Sequence, residues 1–184
     1  MHFSGKIART IAATAAAASV MAGTVALAGP AEAASSTKCR TSSRTFELPG
    51  KPDVRVSLSI CAKYFGTWGG YRHYRAWLGK ASWDGSSFWT GGKRFNDMSV
   101  NMRLEHGKTS IDTCEHGICE VQAVSGAINA NESGSRSYSS TGYGSVGVKT
   151  KSRHWTGDAN VSVDIADDGR GPRNWSLYGT PVVS

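Results

Sequence analysis

A chain of 184 residues with 21 basic and 14 acidic side chains, a formal charge of +7 and 39% hydrophobic residues has room for one ordinary domain. Its basic residues are spread along the chain, the longest run being the pair Lys93-Arg94, which argues against a nucleic-acid partner that would need a basic cluster or stripe. Past the N-terminal segment no run approaches the ~20 apolar residues of a membrane span.

The first segment is a targeting signal by composition. Lys6 and Arg9 precede an Ala-rich apolar run from Ile11 to Ala28, and Ala31-Glu32-Ala33 places small residues where a signal peptidase reads them. Residues 1–33 are therefore expected to be a signal peptide cleaved after Ala33, and residues 34–184 one secreted, extracellular domain. A retained membrane helix is the alternative, disfavoured by the alanine content and the small-x-small site. The expected mature chain has 151 residues and a formal charge of +6, which leaves open adhesion to an acidic polymer such as cell-wall material.

Residues 34–43 are polar, and a short strand follows over Arg44 to Leu48. Pro49-Gly50-Lys51-Pro52-Asp53 is a turn signal, and Val54 to Ile60 alternates strictly between apolar and polar, the pattern of a half-buried strand. Cys61 falls on the Arg55/Ser57/Ser59 side, so a disulfide there is expected on the outer face. Gly66 to Gly70 forms the next turn.

Then comes the aromatic stretch Tyr71 to Trp89, with Tyr71, Tyr74, Trp77, Trp83, Phe88 and Trp89. Its period is also two. Tyr74, Ala76 and Leu78 share one face; Tyr71, His73, Arg75, Trp77, Ala81 and Trp83 share the other. If the first set is core, the second exposes an aromatic strip that should bind a ligand; if Trp77 and Trp83 are core, the strip vanishes and Arg75 snorkels.

Asp84-Gly85-Ser86 turns the chain into a short strand at Ser87 to Thr90. Phe95 to Glu105 alternates cleanly, with Met98, Val100, Met102 and Leu104 inward. Lys108 to Cys114 and Cys119 to Asn129 are expected as two arms of a hairpin around CEHGIC. Asn131 to Gly144 is small and polar and is expected to be a long mobile loop, in which Tyr138 and Tyr143 among Ser and Gly have the composition of an adaptable binding loop. Asn131-Glu132-Ser133 matches an N-glycosylation acceptor, which a bacterial-looking signal disfavours. Strands follow at Ser145 to Thr150, Asn160 to Ile165 and Asn174 to Val183. No helical period and no internal repeat is found, so the expected fold is all-β, an antiparallel β-sandwich, with a β-barrel as second choice.

Four cysteines behind a secretion signal imply two disulfides. Of the three pairings, Cys39 with Cys61 and Cys114 with Cys119 is preferred, the latter closing the CEHGIC hairpin. A zinc site of Cys114, Cys119, His116 and His106 is the alternative, weakened by the oxidising compartment and by Cys-x4-Cys spacing.

The signal segment, the paired cysteines and the closing Asp-Gly turn followed by Asn174-Trp175-Ser176-Leu177-Tyr178-Gly179-Thr180-Pro181 resemble small secreted β-rich proteins of actinobacteria. That resemblance implies location and fold and carries no activity.

No catalytic signature is present: no Gly-x-Ser-x-Gly, no His-Glu-x-x-His, no phosphate-cradling loop and no free cysteine beside a base. His73, His106, His116 and His154 are available as bases, but availability defines no triad. Paired carboxylates for glycoside hydrolysis would be Glu105 with Asp112 or Asp84 with Asp97. Asp164-Ile165-Ala166-Asp167-Asp168-Gly169 fails as an EF-hand, because Ala166 replaces a ligand and no bidentate Glu follows; an acidic turn is the simpler reading. No metal and no cofactor is expected. The sequence thus points to a secreted, non-catalytic binding protein for an extracellular glycan or cell-wall polymer, with Tyr71, His73, Arg75, Trp77, Trp83, Tyr138 and Tyr143 as candidate contacts. A protein-binding effector, such as a protease inhibitor or antibacterial toxin, is the alternative, and a hydrolase comes third.

Overall fold

Alternation builds the first three strands. In the structure, a computed structural model that describes residues 35–85, 92–111, 120–121, 123–142 and 144–184, β1 (Lys38–Leu48), β2 (Lys51–Trp68) and β3 (Tyr71–Gly85) form an antiparallel meander. The second turn lies further along than the glycines suggest, because β2 continues through Gly66 to Trp68. Only Gly69 and Gly70 make the reversal, with φ of 60° and 75°, and two consecutive positive φ values are what a two-residue hairpin turn of this hand requires.

The second sheet grows from β4 (Phe95–His106), with β5 (Thr109–Ile111) and β6 (Glu120–Val121) on one side and β9 (Thr156–Ile165) on the other. Beyond β9 lies β10 (Arg173–Ser176). The first sheet is completed by β7 (Gly134–Ser137) and β8 (Val146–Thr150), which pair with the two ends of β3. Among the described residues each sheet has five strands, every pairing is antiparallel, and the strands do not close into a barrel. The inner faces share one core, in which Val54, Val56, Leu58 and Ile60 of β2 join Met98, Val100, Met102 and Leu104 of β4 and Val161 and Val163 of β9. Full burial of each aliphatic side chain stabilises by ~1.5–3 kcal/mol.

The faces of β3 differ from strict alternation. Ile60 pairs with Leu78 but Ser59 pairs with Lys80, so Gly79 is an extra, bulged residue that exchanges the two faces beyond it. Tyr74, Ala76 and Leu78 are buried as expected, but Ala81 and Trp83 join them in the core instead of lying beside Tyr71. A side chain at Gly79 would place its Cβ 2.5 Å from Cys61 Sγ.

Two further expectations are corrected. Part of the segment expected as a hairpin arm is a helix, α1 (Ala123–Ala130), which buries Val124 and Ile128 at i, i+4 spacing. The segment expected as a mobile loop contains β7, and Tyr138 beyond it donates its backbone N–H to Gly79 O at 3.0 Å and packs against the core. At the C-terminus regular pairing ends at Ser176, after which Leu177 N–H bonds to Ala159 O, Thr180 N–H to Gly157 O, and Val183 exchanges hydrogen bonds with Trp155. The signal segment, the Ser87 to Thr90 strand with Phe88 and Trp89, the Cys114–Cys119 hairpin with its zinc alternative, and Tyr143 lie outside the described residues.

Arg94 links the helix to both sheets. Its side chain is fully buried, and its Nη1 donates to the carbonyls of Ile128, Asn131 and Glu132 at 3.2, 3.0 and 3.1 Å. These are carbonyls of the last turn of α1 and the residues just past it, the negative end of the helix. Asn129 Oδ1 accepts from the N–H groups of Arg94 and Phe95, and its Nδ2 donates to Phe95 O. Burial pulls the Arg94 pKa below the usual arginine value, opposed by the Glu132 carboxylate.

Replacing Arg94 by Met leaves those buried carbonyls without their donor and is expected to lower stability by about 3–5 kcal/mol, read as a reduced urea midpoint with unchanged slope.

Candidate functional site

The candidate site lies on the outer face of the first sheet, built by β2, β3 and β8. Cys39 and Cys61 are direct register partners on β1 and β2 and form a disulfide, on the outer face as expected. Cys61 in turn pairs with Trp77. Trp77 is only 9% exposed, so although it shares this face it offers little contact area to a ligand.

Toward the β2–β3 turn the character changes. Lys63 pairs with Arg75 across β2 and β3, and His73 pairs with Lys149 across β3 and β8. Phe65 is an extra residue in β2, since Tyr64 pairs with Tyr74 but Gly66 with His73. Lys63 and Arg75 both lie over the Phe65 ring, each 5.3 Å from its centroid, and Lys149 and Lys151 lie 4.7 and 5.8 Å from the Tyr71 centroid. Such contacts are worth ~0.5–1 kcal/mol at exposed sites, enough to bias long cationic side chains toward the rings. Lys63, Lys149 and Lys151 form no ion pair among the described residues.

Trp68 completes the site. Trp68 is 53% exposed and Tyr71 37%, and the Trp68 ring stacks on His73 with centroids 3.4 Å apart and planes 9° from parallel. A pocket of about 280 Å³ opens beside this stack, lined among others by Phe65, Trp68, His73, Arg75, Val148 and Lys149. His73 Nε2 is enclosed there and has no hydrogen-bond partner among the described residues. A buried polar atom of this kind ordinarily has a partner.

The sequence-derived contacts therefore divide. Tyr71, His73 and Arg75 come together. Trp77 is on their face but buried beside the disulfide. Trp83 points inward and donates its Nε1–H to Asn131 O at 3.1 Å. Tyr138 packs on the core, and burial raises its pKa against the opposing influence of Arg136. Sequence reasoning missed Trp68, Phe65, Lys63, Lys149 and Lys151. For Trp68 a signal existed: an indole next to Gly69-Gly70 at a hairpin tip has little core to enter.

The hydrolytic alternatives do not assemble. Asp84 is on β3 and Asp97 on β4, in different sheets, and Asp112 lies outside the described residues. Glu105 accepts from Arg103 Nε at 2.6 Å, and Asp158 accepts from the same guanidinium. Burial lowers the Arg103 pKa, but the two carboxylates outweigh it and raise the value overall. In the acidic turn, Asp167 pairs with Lys51 at 2.9 Å and Asp168 with Arg173, while Asp164 is the register partner of Asp97. No cluster of three or more His, Cys, Asp or Glu side chains suited to a metal ion occurs among the described residues.

A larger cleft of about 780 Å³ opens where β1 faces β9 and the turn before β10. It is lined by Arg44, Arg170 and Arg173 but equally by Glu47, Asp53 and Asp168. These charges balance, and Arg173 is already paired with Asp168. The outer face around Tyr71 is smaller in volume but of one sign, and for that reason it is the stronger candidate.

No family model, no characterised protein and no solved structure matches the chain. Among the described residues no helix is long and apolar enough to cross a membrane.

Two stability measurements check these placements. Trp77→Ala is expected to cost about 3 kcal/mol, whereas Trp68→Ala costs at most about 1 kcal/mol; denaturant unfolding of both proteins separates a buried ring from an exposed one. Opening the Cys39–Cys61 bond, whose cysteines are 22 residues apart, by Cys39→Ser with Cys61→Ser lowers stability by about 3 kcal/mol through loop-closure entropy, measurable the same way.

Proposed function

We propose that the protein is a secreted, non-catalytic β-sandwich that binds an acidic extracellular polymer, with acidic glycan of the cell wall as the first candidate. The observation that carries this reading is the meeting of Lys63, Arg75, Lys149 and Lys151 over the rings of Phe65 and Tyr71, next to the exposed Trp68. A sugar ring has an apolar face that packs on an indole or phenol. The surrounding cations attract carboxylate, sulfate or phosphate groups on the same polymer. Each element alone is common on protein surfaces; together they suit a ligand that has both rings and negative charge.

Secretion is part of the proposal. The basic residues, apolar run and small-x-small site of residues 1–33 support it, as does the Cys39–Cys61 disulfide, a bond that persists in oxidising compartments.

Retention of the purified secreted protein on insoluble cell-wall material and on an immobilised acidic polysaccharide tests the reading, with a neutral polysaccharide and duplex DNA as controls. Retention on the acidic glycan should exceed that on the neutral one and fall with salt, because exposed charges are screened within ~10 Å at 0.1 M. Trp68→Ala, and separately Lys149→Glu with Lys151→Glu, should each weaken binding about tenfold, equivalent to ~1.4 kcal/mol. Retention that ignores both changes, or that is as strong on the neutral polymer or on DNA, removes the proposal.

A further inference from the structure

Register carries the outer face of the first sheet well beyond the aromatic end. Ser43 on β1 pairs with Ser57 on β2, Ser57 with Ser82 on β3, and Ser82 with Ser135 on β7, so four serines stand in one row across four strands. The next row is Thr41, Ser59, Lys80 and Ser137. After it come the row of Cys39, Cys61 and Trp77, then Lys63 with Arg75, then His73 with Lys149. A solvent-facing sheet needs polar residues, but it does not need the smallest ones repeated from strand to strand. Short hydroxyls leave a low floor that a chain can approach closely. Each has a donor and acceptor lone pairs, one donor of the Ser43–Ser57 pair being used in the 2.7 Å hydrogen bond between them, and little rotamer entropy is lost when they are ordered.

Charge follows the same axis. Lys80, Arg75, Lys63, Lys149 and Lys151 are on this face from the hydroxyl rows to the turn, and the first acidic side chain met in the other direction along β3 is Asp84, in the row with Arg55 and Thr45. The Gly79 bulge is what brings Lys80 to the outer side, opposite Ser59. From Tyr71 to Ser82, at ~3.3 Å per residue, the strip measures ~36 Å.

We infer that the two hydroxyl rows are the second half of the binding site, and that the ligand is a linear polysaccharide carrying carboxylate groups, lying along β3 from Trp68 and Tyr71 to Ser57 and Ser82. The inference rests on the proposed binding of an acidic polymer at the aromatic end and adds the class of ligand, its direction and its length. Rings are needed to use Trp68, hydroxyls to use the serine rows, and charges to use Lys80 as well as Lys149. A uronate polymer has all three, whereas a simple phosphodiester or polyphosphate chain offers charge alone.

Titration calorimetry of the secreted protein with oligouronates of graded length tests this. Affinity should rise about tenfold or more with length, as in linked-site binding, and level off once the extended oligomer reaches ~36 Å, the span of the strip. Ser43→Glu with Ser135→Glu, at two exposed positions, should abolish the gain, so that long oligomers bind no tighter than short ones. Lys80→Glu, also exposed, provides an independent variant and should do the same, while circular dichroism verifies that each variant folds. Binding of short oligomers with no length gain, or a gain that persists in these variants, overturns the inference and leaves the aromatic-end reading standing. Failure to bind any oligouronate overturns it as well; if other acidic glycans still bind in a Trp68-dependent way, the aromatic-end reading survives, and if they do not, both fall. A polyphosphate of equal length that binds as tightly, with the same dependence on Ser43 and Ser135, overturns the assignment to a polysaccharide.

Discussion

The structure depends on a buried arginine more than on any apolar contact. Arg94 donates to the carbonyls of Ile128, Asn131 and Glu132, and Trp83 Nε1–H shares the Asn131 oxygen. Desolvating a guanidinium is costly, and the cost is offset only because carbonyl dipoles at the end of α1 are aimed at it. Two glycines make room. A Cβ at Gly85 would stand 2.8 Å from Arg94 Nη2, and one at Gly134 would stand 2.8 Å from the Trp83 ring. Helix end, β3 and the start of β7 are thereby fixed to one another, which is how a segment of Ser, Gly and Arg with almost no apolar content becomes an edge strand. That strand supplies Ser135 and Ser137 to the outer face, so the buried cation also shapes the surface proposed to bind.

The bulge at Gly79 connects core and surface in the same way. Without it, Lys80 would continue the Tyr74, Ala76, Leu78 series into the core, and Trp83 would lie outside. With it, Ala81 and Trp83 turn inward and Lys80 turns out. A one-residue slip moves every later side chain to the other face, so one glycine decides both the fit of the indole and the sign of the charge on the outer rows. The close approach of Cys61 Sγ to the site of a Cβ there shows why no other residue fits.

What was legible in the sequence was whatever repeats locally. Val54 to Ile60, Phe95 to Glu105 and Asn160 to Ile165 declare their inner faces by alternation, and the position of Cys61 on the polar side of its strand puts its disulfide on the outer face. The bulge was not legible, because period-two reasoning runs through a glycine without seeing it. Nor was α1: at eight residues it shows one apolar repeat, Val124 and Ile128, too little to distinguish helix from strand. β7 has no apolar pattern at all and is held by Trp83, Arg94 and the edge of β3. The basic face escaped for a different reason. Lys63, Arg75 and Lys149 are far apart in the chain and meet only through strand register, so the absence of a basic run in the sequence said nothing about a basic face in the fold.

That distinction bears on why the proposed site lies on a sheet face and not in the larger cleft. In the cleft, three arginines face three carboxylates, and Arg173 is already bonded to Asp168. On the outer face Lys63, Lys149 and Lys151 rest on aromatic rings, an interaction that holds them in place without cancelling their charge. A ring quadrupole is a weaker partner than a carboxylate. An incoming anion therefore competes with little, and the rings it uncovers remain available to stack on the sugar that carries it. Placing cations over aromatics on a rigid, disulfide-tied sheet keeps the side chains ordered before binding, so that less conformational entropy is lost when the ligand arrives.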